Sequence, residues 1–98
     1  MHSIEWAAGL FEGEGSMSDK PRLELSMTDF DVVEKFRDVV GFGFLKERTQ
    51  SGLGTKPLLR WRLYKKDHIR YVLGKMLPFF GNRRAYKALN ILDDLELA

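Results

Sequence analysis

Three glycines in a short N-terminal stretch constrain the fold of this chain more than any other feature of its sequence. The stretch is WAAGLFEGEG, over residues 6–15. Gly9 and Gly13 are four apart, so a helix carries both on one face, where each costs roughly 1 kcal/mol relative to alanine. This cost has a reason if a second backbone approaches that face closely. Ser3 is suited to cap the helix, and Gly15 supplies a permissive conformation in which the chain leaves it.

Glu14 stands at the end of this predicted helix. The partial negative charge of a helix C-terminus disfavours a carboxylate unless a cation compensates it. Hard divalent cations such as Mg²⁺ take oxygen ligands and need only one or two protein carboxylates when substrate phosphates supply the rest. The stretch therefore predicts a metal site at Glu14. A glycine-rich turn whose acids face water is the alternative, and spacing alone does not decide between the two.

Composition sets the class of protein. With 44% hydrophobic and 31% charged residues, the 98-residue chain resembles an ordinary globular protein, and we expect one domain over residues 1–98. The absence of cysteine excludes disulfides and thiolate metal sites. No apolar run approaches the ~20 residues that span a bilayer, and no secretory signal is visible. We therefore expect an intracellular protein without a membrane partner.

Basic residues are concentrated in one part of the chain, although the formal net charge is only +2. Residues 45–66 carry seven basic side chains, opposed only by Glu47, whereas the C-terminal end is acidic. Such patches are footprints for nucleic acid. A solvated charged face is the alternative interpretation.

Alternating side chains predict that much of this basic stretch lies on one face of a β-sheet. Apolar and polar positions alternate over residues 22–27, 44–50 and 58–64, as they do when successive side chains point to opposite faces. Arginine and lysine can read guanine in the major groove, glutamine can read adenine, and glutamate can accept from cytosine, so the mixture favours base recognition. The polar positions that converge on this face are Arg22, Glu24, Ser26, Lys46, Arg48, Gln50, Arg60 and Arg62.

Helical periodicity places further helices between and after the strands. The first is capped by Thr28 and ends near Gly41, and the second is capped by Asp67. A last helix begins near Asn82, with its predicted apolar side formed by Ala85, Ala88, Leu89, Leu92 and Leu95. The resulting order is αββαββα, in which Pro78 and Gly81 interrupt the final helical region.

The segment AGLFEGEG at residues 8–15 resembles the signature of the LAGLIDADG homing endonucleases, with glutamate at both aspartate positions. The segments GFGFLKER at 41–48 and LPFF at 77–80, followed by Arg83 and Arg84, are also similar to family segments. The resemblance covers essentially the whole chain. It implies an α+β fold, with a saddle-shaped antiparallel four-stranded sheet backed by helices. It also implies an endonuclease of intron or intein mobility that, having a single motif, binds double-stranded DNA as a homodimer.

This resemblance implies a dimer interface as well as a metal site. The motif helices of two subunits pack together at the twofold axis, through Ala8, Gly9, Glu12 and Gly13. The two Glu14 carboxylates then bind Mg²⁺ over a palindromic or pseudo-palindromic site. Another divalent cation, such as Mn²⁺ or Ca²⁺, is expected as a non-catalytic substitute, and no small-molecule cofactor is expected.

The same resemblance implies hydrolysis of one phosphodiester in each strand, in which a basic side chain neutralises the transition state. Alignment with the family places this side chain at Lys65 or Lys66, with Lys66 favoured. Asp29 stands near the position where the family has a polar residue, often glutamine, that orders water. Asp29 is equally suited to capping a helix.

Three other interpretations remain open. The first is a non-cleaving DNA-binding protein with the same fold, and the second is an RNA-splicing maturase. The third is a small protein-interaction domain whose sheet is incidentally basic. Cleavage of a cognate site would exclude the first of these interpretations. Selective binding to folded intron RNA would favour the second. Weak salt dependence of nucleic-acid binding distinguishes the third.

Overall fold

A computed structural model describes residues 3–18, 20–49 and 56–97, which form an α+β fold. In chain order the elements are α1 (Ile4–Glu14), β1 (Gly15–Ser18), β2 (Arg22–Met27), α2 (Phe30–Val40), β3 (Phe44–Arg48), β4 (Leu58–Leu63), α3 (Lys66–Met76), a 3₁₀ turn (Leu77–Phe79) and α4 (Asn82–Leu97). The predicted order is confirmed, with α4 following the interruption as a separate helix. Within the described ranges, no helix is long and apolar enough to cross a membrane.

The four strands form one antiparallel sheet in the order β1-β2-β4-β3. The two hairpins therefore meet at the β2–β4 pair, where Leu25 is level with Trp61. Apolar side chains on these strands alternate as predicted, and Leu23, Leu25, Leu59, Trp61 and Leu63 are buried. One face of the sheet thus packs on the helices while the other meets solvent, as an antiparallel sheet allows.

Helix α1 begins and ends as predicted, but glycine is required at position 15 for a different reason. The Ser3 hydroxyl accepts from the Trp6 N–H at 3.2 Å, which satisfies an otherwise unpaired donor of the first turn. Gly15 has φ −84°, a conformation open to any residue, so the prediction that backbone freedom selects glycine here is wrong. Glycine is required here because there is no room for a side chain: a Cβ on Gly15 would lie 2.5 Å from Cγ of Phe11.

Three aromatic rings form the centre of the core. Phe11, Phe36 and Trp61 are fully buried, and the Phe36 and Trp61 rings meet edge to face with their centroids 4.8 Å apart. The indole N–H of Trp61 donates to the Phe42 carbonyl at 2.8 Å, so this buried donor is satisfied. Gly43, at φ +105°, lets the backbone pass directly over the indole, where a Cβ would overlap Nε1.

The caps of α2 and α3 differ from the prediction. Helix α2 is preceded by Asp29 at the N-cap rather than Thr28, and no side chain makes a capping hydrogen bond there. Helix α3 begins at Lys66, so Asp67 lies inside the first turn, where its charge still complements the helix dipole. The predicted end of α2 is confirmed, since Gly41 adopts the left-handed conformation at φ +86°.

Helix α4 begins at Asn82, as predicted. The carbonyl of Gly81 accepts the first intrahelical hydrogen bond. Leu89, predicted on the apolar side, is 47% exposed, whereas Ile91 is buried. The helix contacts the core along a stripe with spacings of three and four residues, formed by Ala88, Ile91 and Leu95.

Replacing Gly15 by alanine is expected to lower the free energy of unfolding by about 1–3 kcal/mol, because the added Cβ would overlap the buried Phe11 ring. Gly74→Ala is the matched control. Gly74 lies within α3 with no atom within 4 Å of the added Cβ, so helix propensity should stabilise that variant by roughly 1 kcal/mol. Urea denaturation measures both changes, and equal effects would rule out space as the constraint at Gly15.

Candidate functional site

The solvent side of the sheet, termed here the polar sheet face, carries the outward side chains of β2, β3 and β4. Strand register places Ser26 level with Arg60, and Arg60 level with Lys46. Of the eight predicted residues, the structure brings seven to this face: Arg22, Glu24, Ser26, Lys46, Arg48, Arg60 and Arg62. Gln50 lies outside the described residues.

Glu24 lies among the arginines of the polar sheet face. Its Oε1 is 2.8 Å from Nε of Arg22 and 3.3 Å from Nε of Arg62, although the Arg62 contact is not aligned as a hydrogen bond. Its Oε2 is 3.8 Å from Nε of Arg60. One carboxylate therefore sits against three guanidinium groups and holds them together. The sequence predicted Glu24 as an acceptor for cytosine, whereas in this structure its oxygens face protein cations.

Arg60 is the most crowded cation of this face. Burial lowers its pKa, the nearby charges of Arg48 and Arg62 lower it further, and Glu24 acts in the opposite direction. The guanidinium remains protonated at physiological pH, so the lowered pKa reflects first its partial burial and then the like charges of its neighbours. Its Nε also lies 3.4 Å from the Ser26 hydroxyl, to which it donates. Such a concentration of positive charge suits a polyanionic partner.

The residues 8–14 of the glycine motif separate into buried and exposed positions. Ala8 is fully buried in the core of its own chain, which contradicts its predicted place in a dimer interface. Gly9 and Gly13 are exposed, and an added Cβ at either would meet no atom within 4 Å. Glu14, the last residue of α1, is exposed as well. The glycine face of α1 and the carboxylate that ends it are thus open to solvent.

Glu12, predicted at the dimer interface, makes a contact within its own chain. Its Oε1 accepts from the Gly81 N–H at 3.0 Å, across 69 residues of chain. Its Oε2 is buried and has no hydrogen-bond partner among the described residues. Gly81 immediately precedes α4, so Glu12 joins the end of the motif helix to the start of α4. This carboxylate is therefore engaged within the chain, unlike that of Glu14.

A cleft of about 520 Å³ lies between β1 and α4. Gly15 and Ser16, which directly follow Glu14, line one side, and Arg83 and Arg84 line the other. Sequence reasoning missed these two arginines as site residues, although it noted them as a basic pair after the LPFF segment. Their position beyond the 3₁₀ turn, joined to Glu12 through Gly81, brings them beside the end of α1.

The predicted lysines lie elsewhere. Gly15 is level with Leu25, whereas Leu63 is level with Leu23 and Lys65 follows two residues later. Lys65 therefore stands roughly 14 Å from Gly15 along the strands and two strand spacings, about 10 Å, across them. Neither Lys65 nor Lys66 lines the cleft next to Glu14. The structure does not bring these lysines to the carboxylate.

Asp29 lies at the same end of the sheet as Glu14. It follows Met27 at the end of β2, and β1 begins opposite that end. Asp29 is exposed at the N-cap of α2 without a capping hydrogen bond. Within residues 3–18, 20–49 and 56–97, however, no three His, Cys, Asp or Glu side chains form a group that could hold a metal ion. One chain thus offers Glu14 as a single exposed carboxylate rather than a complete metal cage.

Solved structures of two homing endonucleases share this fold. I-CvuI in complex with the I-CreI target in the presence of 2 mM Mg, with the DNA not cleaved, matches with a TM-score of 0.79 at 15% identity, over 95% of this chain and 65% of that chain. I-CvuI with its Sro1.3 target in the presence of 2 mM Ca matches with a TM-score of 0.75 at 14% identity, over 95% and 65%. I-TnaI matches with a TM-score of 0.72 at 15% identity, over 94% and 70%.

This chain therefore has the homing-endonuclease fold and spans about 65% of the I-CvuI chain. At such identities the likeness concerns the fold alone. No protein-family model matches the sequence, and no curated protein matches it either.

The two glutamates of the motif should respond differently to alanine. Glu12→Ala leaves the Gly81 N–H without its acceptor, so we expect a loss of about 1–3 kcal/mol in the free energy of unfolding. Glu14→Ala removes an exposed negative charge from a helix C-terminus, so we expect no loss, or a gain of roughly 0.3–1 kcal/mol. Thermal and urea denaturation measure both. Similar effects at the two positions would contradict the division of roles.

Proposed function

We propose that this chain is a site-specific homing endonuclease of the LAGLIDADG type. As a homodimer it cleaves both strands of a long palindromic or pseudo-palindromic DNA site, with a divalent metal ion. One observation carries the proposal: the glycine face of α1 has no neighbour in the described part of the chain, and the helix ends in an exposed carboxylate. The fold shared with I-CvuI and I-TnaI supports it.

Dimerisation gives the exposed helical glycines a purpose. Ordinary helices pack about 8–10 Å apart, and small residues let two backbones approach more closely. A twofold axis makes the contact self-complementary, so Gly9 and Gly13 face their own copies in the proposed dimer. The two Glu14 side chains then emerge side by side. Because the minor groove is only about 6 Å wide, a closely packed helix pair can present one carboxylate to each DNA strand across it.

The polar sheet face supports duplex recognition. Its arginines and lysines attract the phosphate backbone, and they also have the donors that read guanine from the major groove. Glu24 gives the arginines defined positions, because its two oxygens lie within 4 Å of three guanidinium groups. Ordered arginines lose less conformational freedom on binding than solvated ones. We therefore assign Glu24 to positioning the base-reading side chains, with Arg60 and Arg62 as the readers.

Glu14 is suited to holding a divalent cation. It supplies the hard oxygen ligand that Mg²⁺ prefers, and a second copy in the dimer and the scissile phosphates would add more. When bound, such a cation polarises the phosphodiester and lowers the pKa of an attacking water. Arg83 and Arg84, across the cleft from Gly15, are placed to neutralise the negative charge of the reacting phosphate. We assign to these two residues the cationic role first expected of Lys65 or Lys66.

Glu14→Gln is expected to abolish Mg²⁺-dependent cleavage while the fold, the dimer and DNA binding persist, because a neutral amide is a poor ligand for a hard cation. The substrate is a duplex selected for binding from a randomised library. Cleavage of each strand is followed by denaturing electrophoresis. Glu34→Gln, which makes the same change at an exposed acid of α2, is the matched control and should retain full cleavage.

Retained cleavage in Glu14→Gln would remove Glu14 as the metal ligand. A wild-type chain that selects a specific duplex and never cuts it would instead be a DNA-binding protein. Selective binding to folded intron RNA over any duplex would identify a maturase.

Gly9→Leu is expected to convert the dimer to a monomer, since a leucine side chain holds the two proposed helices apart. Sedimentation velocity measures the change. Gly74→Leu places the same side chain on an exposed glycine of α3 and should leave the dimer intact. A wild-type chain that sediments as a monomer, even with DNA bound, would contradict the proposed interface.

A further inference from the structure

Two exposed aromatic side chains interrupt the charged surface of the polar sheet face. Phe44 is 46% exposed and Tyr64 is 44% exposed, and their ring centroids lie 5.5 Å apart. Phe44 begins β3 level with Arg62, and Tyr64 follows Arg62 by two residues, so all three lie on the same side of the sheet. The pair lies at one corner of this face, because β3 is an edge strand and Tyr64 follows the end of β4. Apolar surface left in water beside a charged surface indicates a candidate binding site.

These two rings border a concavity of about 360 Å³. Its lining also includes Arg62, Lys65 and His68, so an apolar floor lies next to basic groups. A partner that fits here presents a small apolar group close to negative charge or to hydrogen-bond acceptors. Duplex DNA has one such group in its major groove, the C5 methyl of thymine, because the rest of the groove edge is polar.

Arg62 connects the aromatic pair to base reading. Its Nη1 donates to the Tyr64 hydroxyl at 2.7 Å, and its guanidinium carbon lies 5.8 Å from the centroid of the Tyr64 ring. The Arg62 guanidinium thus has two neighbours that restrict it, a hydrogen bond to Tyr64 and an ion pair with Glu24 at 3.3 Å. A methyl group resting on the two rings would therefore belong to a base pair at, or beside, the one that Arg62 contacts.

Stacking of an extruded base is a poorer fit to the same rings. The planes of Phe44 and Tyr64 are inclined by 30° and the rings already contact each other, so they leave no slot between them. The two exposed rings instead form one continuous apolar surface, on which a methyl group can rest.

We propose that Phe44 and Tyr64 recognise a thymine through its C5 methyl group when duplex DNA lies across the polar sheet face. The proposal rests on the proposed function, since it names one base that the endonuclease reads. It makes the aromatic pair a specificity-determining element next to Arg62.

The test removes the methyl group and nothing else. In a duplex selected from a randomised library, each thymine is replaced in turn by deoxyuridine in both half-sites, and equilibrium binding is measured without Mg²⁺. We expect one position at which the loss of the methyl weakens binding by about fourfold per half-site. In Phe44→Ala the same replacement should have a clearly smaller effect, because one of the two rings that contact the methyl group is absent.

Phe79→Ala is the matched control. Phe79 is also 46% exposed, but it lies on the 3₁₀ turn rather than on the sheet, so this variant should keep the full deoxyuridine effect. Phe44→Leu, which retains apolar surface, should keep part of the effect and provides a second measurement if the alanine variant folds poorly. Tyr64→Phe keeps the ring and should keep the effect.

The proposal is overturned if no deoxyuridine replacement weakens binding to a specifically bound duplex. It is also overturned if the effect persists unchanged in Phe44→Ala. Failure of the library to yield any specific duplex is a different result, because it removes the proposed function itself.

Discussion

The packing of the Phe11 ring is the interaction on which the rest of this structure depends. The ring projects from the glycine-bearing helix into the core, and the backbone of Gly15 lies directly against it. Its centroid is 6.1 to 6.3 Å from those of three other rings: Phe36, Trp61 and Phe80. A single side chain therefore joins α1 to β1, α2, β4 and the turn before α4. Because it fixes the point where α1 ends, it also fixes the position of Glu14 beside the cleft.

Because the packing of Phe11 fixes the end of α1, the two glutamates separated by one glycine have opposite environments. Glu12 turns inward and accepts from the Gly81 N–H, which holds the start of α4 against the end of α1. Glu14 remains exposed at the C-terminus of the helix, where the helix dipole disfavours a carboxylate. The first stabilises the assembly that carries Arg83 and Arg84, and the second is available for chemistry. A carboxylate held against the helix dipole is the kind of local cost that functional sites retain.

The polar sheet face combines strong positive charge with internal order. Three guanidinium groups lie within 4 Å of Glu24, and one of them, that of Arg62, also donates a hydrogen bond to Tyr64. Exposed ion pairs contribute only about 0–1 kcal/mol each to stability, so positioning is the more informative consequence. An aromatic pair within this charged surface adds an apolar contact whose natural counterpart in a DNA groove is a methyl group. The face therefore has the variety of contacts that sequence-specific recognition requires.

The sequence by itself determined the elements of this fold. Period-two alternation in β2 and β4, the Ser3 cap and the glycine at the end of α2 are local signals, and all of them hold in the structure. The placement of basic and polar residues on one face follows from the same alternation, because it needs only the direction of successive side chains.

Only the tertiary structure decided which side chains share a site. Lys65 and Lys66 carry the right charge, but the antiparallel register puts them far from Glu14, whereas Arg83 and Arg84, some seventy residues along the chain, line the adjoining cleft. Ala8 is as small as its neighbours, yet it faces the core. Gly15 is a glycine because of a ring that packs beneath it, not because of its own backbone angle. Local patterns record the direction of a side chain, while distances between remote residues arise from packing and strand register, which no local pattern contains.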